Sequence, residues 1–265
     1  MPWYNRGPLR LHYVVQGPAA GPLVLLLHGV QGCAALWESV AQGLATRGWL
    51  AVAPDLRGHG ESDRAVDYGL RAYVGDAVAL IEHLGAAPVA LVGHSLGGRI
   101  AWETAAARPD LVQRLVIEDQ HPDARPESMP YWEQWAAEWP AHFADREAGL
   151  AYLRAQERNP AWWGPSLVPL PGGGWGWAMD IPGVVATARS LTGESGWESL
   201  ARVQAPTLLI RGGRSEHLTA EVAARMVAVL PQGRLLTVPA QGHWVHRDPE
   251  PYVSVVADFL SAAGH

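Results

Sequence analysis

Short continuous apolar runs recur along the chain, and longer amphipathic stretches separate them. Short continuous runs of apolar residues are typical of strands that are buried on both faces of a mainly parallel sheet. The runs that predict such strands are 23–27, 50–53, 89–92 and 115–117, and after a gap residues 207–210 and 235–238, which each include one threonine, continue the strands. Residues 9–16 alternate between apolar and polar side chains instead, which indicates an antiparallel strand with one solvated face.

Helix-like stretches lie between these runs, with apolar side chains at helical spacing. They cover residues 34–46, 70–84, 96–108, 219–230 and 249–262. Strands that alternate with helices favour a doubly wound α/β sheet with helices on both faces. The sequence contains no repeat of fixed period.

Residues 122–196 break the alternation and contain seven of the 13 tryptophans, together with a glycine-rich run near position 173. We interpret this segment as a helical cap inserted into a core that comprises residues 1–121 and 197–265, because long insertions in compact domains often cover active sites. The indoles could form the cap's own small core or an apolar roof over the sheet. We expect a substrate pocket lined by Trp132, Trp135, Trp163 and Trp244.

Composition narrows the classes of protein that remain. The chain has 265 residues, of which 48% are hydrophobic and 17% charged, and this excludes a disordered chain and a coiled coil. Its net charge is −6, and its 20 basic residues are all scattered arginines, so we expect neither a nucleic-acid nor a membrane partner. One cysteine, Cys33, excludes an intrachain disulfide. We expect a cytoplasmic protein, since neither a membrane span nor a signal-peptide core is evident.

The strongest chemical signal is the sequence Gly-His-Ser-Leu-Gly-Gly at positions 93–98. It follows a predicted buried strand and precedes a predicted helix. A G-x-S-x-G motif in this context is a nucleophile elbow, a turn so sharp that small residues must flank the serine. The turn would lift the hydroxyl of Ser95 above the edge of the sheet.

Three further motifs occur in a matching order: His28-Gly29 after the first buried run, residues 55–62 (Asp-Leu-Arg-Gly-His-Gly-Glu-Ser), and Gly242-His243 after the last predicted strand. With the elbow they make the chain resemble the α/β-hydrolase superfamily over nearly its whole length outside the cap. The resemblance implies that Ser95 is the nucleophile and His243 the general base. It also implies that the backbone N–H groups of Val30 and Leu96 form the oxyanion hole, and that neither a cofactor nor a metal is needed.

The acid of the triad departs from the commonest family pattern. Ser215 occupies the usual slot after the penultimate strand, whereas Asp119 ends the strand that follows the elbow helix, in a D-x-x-P sequence. This resembles an esterase subgroup with the acid at the earlier strand, and we therefore expect Asp119. Glu118 and Glu216 remain alternatives. If the strand runs regularly through position 119, the side chains of neighbouring Glu118 and Asp119 point to opposite faces.

Other polar residues have simpler interpretations. His28 is expected to brace its loop and Cys33 to fill a small buried space. His121 and His217 could line the pocket or be solvated, and we favour a solvated His217. The remaining group is expected to be structural, without a metal site, and comprises Asp55, Arg57, His59, Glu61, Asp63, His246 and Asp248.

Serine at the elbow disfavours relatives that use aspartate there, such as haloalkane dehalogenases and epoxide hydrolases. The resulting hypothesis is a carboxylesterase that cleaves small or medium acyl esters through an acyl-enzyme on Ser95. A carbon–carbon bond hydrolase and a cofactor-free perhydrolase are alternatives on the same triad, and a non-catalytic ligand-binding protein is a further one. The expected partner is a small-molecule acyl substrate, and the oligomeric state, monomer or homodimer, is open.

Overall fold

The computed structural model describes residues 2–262, so residue 1 and residues 263–265 of the predicted core domain lie outside the described part. Its main sheet has eight strands. In chain order they are β1 (Trp3–Arg6), β2 (Leu9–Gln16), β3 (Leu23–Leu27), β4 (Leu50–Pro54), β5 (Val89–His94), β6 (Val112–Glu118), β9 (Thr207–Gly212) and β10 (Gly233–Val238). A separate pair, β7 (Leu167–Pro169) and β8 (Trp175–Trp177), forms a small antiparallel sheet.

The spatial order in the main sheet is β1-β2-β4-β3-β5-β6-β9-β10. The β1–β2 and β2–β4 pairs are antiparallel, and all later pairs are parallel. The predicted fold class, a mostly parallel sheet flanked by helices, is thereby confirmed. The carboxyl ends of the parallel strands share one edge, which is where open α/β sheets place their ligands.

Helices cover both faces of the sheet. They are α1 (Glu38–Ala45), α2 (Leu70–Leu84), α3 (Leu96–Ala107), α8 (Trp197–Ala201), α9 (Ala220–Val229) and α10 (Pro249–Ser261). A hydrophobic core lies between the sheet and the helices on each face, and β3 contributes to both cores because strand residues alternate between faces. Leu25 and Leu27 pack with α2, α3 and α9, whereas Val24 and Leu26 pack with α1 and α10.

The 122–196 segment lies between β6 and α8 in the chain. It contains α4 (Met129–Glu138), α5 (Arg146–Ala155), α6 (Pro160–Trp163) and α7 (Ile181–Gly193), as well as the β7–β8 hairpin. The hairpin was not expected from the sequence. Its turn uses Gly173 and Gly174 at φ values of 91° and 74°, which only glycine adopts without strain. Within residues 2–262, no helix combines the length and apolarity that a bilayer crossing requires.

Candidate active site

Ser95 lies at the turn between β5 and α3, with φ 52° and ψ −119°. The neighbouring backbones leave no room for side chains at the flanking glycines. A Cβ atom at Gly93 would lie 2.1 Å from the carbonyl oxygen of Gly97, and one at Gly97 would lie 2.0 Å from that of Leu27. The Ser95 N–H donates to the Glu118 carbonyl at 3.0 Å, which ties the turn to β6. The positive φ is the kind of local strain that a surrounding structure must hold in place.

Val30 and Leu96, whose N–H groups are predicted to form the oxyanion hole, line the same cavity as Ser95. Leu96 is the first residue of α3, so its N–H has no acceptor within the helix. Val30 lies in the loop after β3, and its carbonyl oxygen is 2.7 Å from Nε2 of the buried His59. His59 thereby fixes the orientation of the Val30 residue. Both positions predicted for the oxyanion hole line the cavity that contains Ser95.

His28 connects this loop to the next one. Its Nδ1 lies 2.8 Å from the Gly29 carbonyl, and the Leu56 N–H donates to its Nε2 at 3.0 Å. Burial lowers the pKa of His28 to about 3, so the ring is neutral and can donate at one nitrogen while it accepts at the other. These contacts are those of a brace for the loop, as the sequence led us to expect.

Asp119 is fully buried and lies immediately after β6, at φ 48°. Its Oδ2 lies 2.8 Å from Nδ1 of His243, and its Oδ1 accepts the Gly212 N–H at 3.0 Å. The Ser215 hydroxyl donates to Oδ2 as well. The serine in the family's usual acid position therefore supports the carboxylate that lies beside His243.

The two competing carboxylates lie elsewhere. Glu118 is fully buried and faces His246, whose Nδ1 is 2.8 Å from Glu118 Oε1, and it also accepts the Val245 N–H at 2.7 Å. Glu216 is exposed. The assumption of a regular strand through position 119 is wrong, because β6 ends at Glu118 and Asp119 turns away with a positive φ. Glu118 and Asp119 still point to different histidines.

His246 has a structural environment: besides Glu118, its ring stacks on Trp37 with 4.3 Å between centroids. Asp248 is exposed just before α10. Residues 2–262 contain no group of three side chains arranged to hold a metal ion.

Two further histidines pack against the His243 ring, at centroid distances of 4.6 Å for His94 and 4.4 Å for His217. Nε2 of His94 lies 2.9 Å from the His243 carbonyl oxygen, and Nε2 of His217 lies 2.9 Å from Oε1 of Gln120. Burial, followed by the proximity of His243, holds the pKa of both rings well below the usual histidine value. The expectation of a solvated His217 was wrong. Ser215 Oγ accepts the His217 N–H at 3.2 Å, and this loop geometry turns the ring into the site.

Two cavities meet at Ser95, with volumes of about 210 Å³ and about 290 Å³. Both are lined by Val30, Ser95, Tyr131, Trp132 and His217. The smaller cavity, which we call the His121 arm, also has Leu96, His121 and Arg125 in its wall. The larger one, the His243 arm, also has His243, Trp244 and Arg158 in its wall.

The four tryptophans predicted for the pocket divide into two pairs. Trp132 and Trp244 line the cavities, whereas Trp135 and Trp163 are absent from their walls in the described part of the chain. Trp135 is 7% exposed and Trp163 is 2% exposed, and both pack in the aromatic cluster of the 122–196 segment. The expectation that Trp135 and Trp163 line the pocket was wrong, because these indoles fill the core of the 122–196 segment.

The polar loop at 55–63 makes structural contacts. Asp55 accepts hydrogen bonds from the Ala34 N–H at 2.7 Å and from the Glu61 N–H at 3.1 Å, and it lies 2.7 Å from Nδ1 of His12. Arg57 forms a buried bidentate pair with Asp76, a partner that the sequence analysis missed because it lies on α2.

Asp63 accepts the Arg10 N–H at 2.8 Å. Cys33 is buried beside Ser166, and burial raises the pKa of its thiol to about 12, so the thiolate is not formed at neutral pH.

Sequence reasoning also missed Arg158 and Tyr131 as cavity residues. Neither carries a motif. Both belong to the 122–196 segment, whose path over the sheet cannot be read from hydrophobic spacing.

Comparisons with known proteins show the family of this chain. The model of the α/β hydrolase fold family matches residues 22–249. An sn-1-specific diacylglycerol lipase of Mus musculus is 29% identical over an alignment of 276 positions. The alignment covers 96% of this chain and 86% of that protein. A 2-(acetamidomethylene)succinate hydrolase of Mesorhizobium japonicum is 30% identical, and the match covers 96% of this chain and 93% of that protein.

Among solved structures, that of an E-2-(acetamidomethylene)succinate hydrolase superposes with a TM-score of 0.86 at 28% identity, over 98% of this chain and 100% of the other. The match of the family model extends from just before β3 to the start of α10 and contains the elbow, Asp119 and His243. The chain therefore belongs to the α/β hydrolase fold family.

Proposed function

We propose that the protein is a serine hydrolase that cleaves carboxylic esters with small or medium acyl groups. The observation that carries this proposal is the buried Asp119 carboxylate, 2.8 Å from Nδ1 of His243, at the sheet edge where the elbow presents Ser95. His243 and Ser95 line the same cavity. A nucleophile, a base and a buried acid that orients the base are the parts of a serine hydrolase triad.

The reaction proceeds in two steps, acylation of Ser95 and hydrolysis of the acyl-enzyme. Nε2 of His243 removes the proton from Ser95 Oγ, and this oxygen attacks the ester carbonyl carbon. The carbonyl oxygen becomes negative and accepts hydrogen bonds from the N–H groups of Val30 and Leu96. The intermediate collapses to an acyl-enzyme when the C–O bond breaks, and His243 gives its proton to the departing alcohol. Water, deprotonated by His243, then attacks the acyl carbon and releases the acid, and the proton returns to Ser95. Asp119 stabilises the imidazolium in both steps.

The 122–196 segment serves as a cap in this proposal. It contributes Tyr131, Trp132 and Arg158 to the cavity walls, while its own aromatic cluster holds the segment together. The acyl group occupies only one of the two arms, and each arm, at about 210 and 290 Å³, is smaller than the roughly 300–1,000 Å³ of a pocket for a whole drug-sized ligand. The enclosed volume favours acyl groups of a few carbons and disfavours long chains.

The relatives support hydrolytic chemistry without fixing the substrate. One is named for lipase activity on diacylglycerol and the other for hydrolysis of a succinate derivative. A carbon–carbon bond hydrolase or a perhydrolase would use the same three side chains, so substrate profiling separates them. A ligand-binding protein without activity would leave all substrates untouched.

The test is hydrolysis of p-nitrophenyl esters from acetate to palmitate by the wild type and by Ser95→Ala. The wild type should be most active on short and medium chains, and Ser95→Ala should lose at least about a thousandfold of kcat. Ser254→Ala, at an exposed position of α10, is the matched control and should retain wild-type rates. Equal activity of Ser95→Ala and wild type, or a maximum on long chains, contradicts the proposal.

A further inference from the structure

Arg158 lies between α5 and α6 and borders the His243 arm. Its guanidinium carbon is 4.9 Å from the ring centroid of Trp139 and 4.6 Å from that of Trp163. Two indoles therefore hold a half-buried cation in one orientation by cation–π contact. Within residues 2–262, no carboxylate forms an ion pair with Arg158, and no atom accepts a hydrogen bond from its guanidinium.

A second cation reinforces the positive charge on this side. The guanidinium carbon of Arg247 is 4.9 Å from the ring centroid of Trp244, another residue of the His243 arm. Burial, and then the charge of Arg158, lower the pKa of Arg247 to about 10, so it stays charged at neutral pH.

The His121 arm differs, because a carboxylate, Asp123, lies in its wall, whereas the wall of the His243 arm contains none within residues 2–262. Arg99 is paired with Glu103 at 2.9 Å, and Asp123 lies in the same wall as Arg125. Arg158 is therefore a wall cation of the site whose own arm offers it no carboxylate.

We propose that Arg158 binds a carboxylate on the leaving-group side of the substrate, so that the preferred substrates are esters whose alcohol portion is anionic. This inference rests on the proposed function. His243 must protonate the departing alcohol oxygen, and it lines the cavity that Arg158 borders. The alcohol portion of a bound ester accordingly occupies the His243 arm.

The chemistry of the guanidinium matches this assignment. Its fork of N–H donors binds a carboxylate in two parallel hydrogen bonds, and a planar cation already held between two rings loses little freedom when it does so. A partly enclosed cavity screens the pair less than open water does. An arginine that served only to pack the two indoles would give the enzyme no preference for charge.

Two matched substrates test the proposal: the butyrate esters of 5-hydroxy-2-nitrobenzoate and of 5-hydroxy-2-nitrobenzamide. They share the acyl group and differ in the charge of the leaving group. The ratio of kcat/KM for the carboxylate to that for the amide should exceed one in the wild type and fall roughly tenfold or more in Arg158→Gln. Arg158→Lys should retain part of the preference.

Arg154→Gln is the control, since it removes the same charge from an exposed arginine of α5 that pairs with Glu147. It should keep the wild-type ratio. An unchanged ratio in Arg158→Gln overturns the proposal. Equal losses on both substrates in that variant assign Arg158 to packing and overturn it as well.

A binding measurement separates this inference from the proposed function. If the wild type hydrolyses neither ester, the proposed function fails, but calorimetric titration of Ser95→Ala with benzoate still tests Arg158. Benzoate should bind the single variant, and roughly tenfold or more weaker binding to Ser95→Ala/Arg158→Gln supports the carboxylate site. Equal affinity in the two proteins, or no binding to either, overturns it.

Discussion

Asp119 reaches His243 because the chain leaves β6 one residue earlier than a straight strand would. At φ 48° its side chain turns toward β9, where the Gly212 N–H and the Ser215 hydroxyl donate to it. Glu118 remains in the strand and holds His246 instead. Two adjacent carboxylates thus hold two histidines of the same loop: His243, which lines the cavity with Ser95, and the buried His246.

Asp119→Asn is the substitution that tests the acid most directly at the scale of one residue. The amide cannot stabilise the imidazolium and favours the wrong tautomer of His243; the same change in a serine protease lowers kcat by about 10⁴. We expect kcat to fall several hundredfold or more, with KM changed little. Steady-state kinetics on p-nitrophenyl butyrate measure both values.

Glu216→Gln is the matched control, because it neutralises an exposed carboxylate near the usual acid position of the family. Its kcat should change less than about tenfold. If Glu216→Gln were the variant that collapsed while Asp119→Asn stayed near wild type, the assignment of the acid would be wrong.

At this scale the sequence identified residues that carry a motif and missed residues that depend on the path of a loop. Ser95 lies in a strand–turn–helix pattern, and Asp119 and His243 follow from a resemblance. His217 could not be placed, since its orientation depends on how Ser215 turns the loop after β9. Trp132 and Trp135 lie three residues apart on α4, so they share a helix face, and only packing decides which one reaches the cavity.

Among the structural elements, the elbow depends on close contact between α3 and β3. Gly97→Ala would place a methyl group 2.0 Å from the Leu27 carbonyl oxygen, and neither backbone can move without disturbing Ser95. Overpacking of this kind costs about 1–3 kcal/mol or more. We expect Gly97→Ala to lower the free energy of unfolding by at least about 2 kcal/mol, as measured by urea denaturation.

The comparison variant is Gly193→Ala at the end of α7, where no atom lies within 4 Å of the added Cβ. It should be neutral or stabilise the protein by up to about 1 kcal/mol, because alanine favours the helix. A Gly97→Ala protein as stable as Gly193→Ala would refute the close contact.

The main elements were predictable because buried parallel strands are marked by continuous apolar runs. β2, β3 and α2 have the predicted bounds, β1 and α8 were not predicted, and the other main strands and helices differ by a few residues at their ends. The β7–β8 hairpin was missed because each strand has only three residues and one contains glycine between tryptophans. Such short strands form through the turn and the surrounding aromatic packing, which a local pattern does not reveal.

Across the whole molecule, an unusual number of buried histidines couples stability to pH. Burial lowers the pKa of His28, His59, His94, His121 and His217. In the unfolded chain these rings titrate near 6.5. Below that pH the unfolded chain binds protons that the folded protein does not, so the free energy of unfolding falls as pH falls.

His121→Asn isolates one of these contributions, because the pKa of His121 lies at about 4 in the folded protein. Between pH 6.5 and 4, the slope of unfolding free energy against pH should be smaller than in the wild type by up to about 1.4 kcal/mol per pH unit. Urea denaturation at several pH values gives both slopes. His142→Asn, at an exposed position, should leave the slope unchanged, and an equal slope in His121→Asn would refute the coupling.

Covalent labelling with a fluorophosphonate, located by peptide mass spectrometry, tests the central claim that Ser95 is an activated nucleophile. The phosphorus should be found on Ser95 in the wild type and be absent from Ser95→Ala. Labelling of Asp119→Asn should be slower by roughly a hundredfold or more, because His243 then lacks its charged partner. An unlabelled wild type, or a label on another residue that persists in Ser95→Ala, would contradict the account.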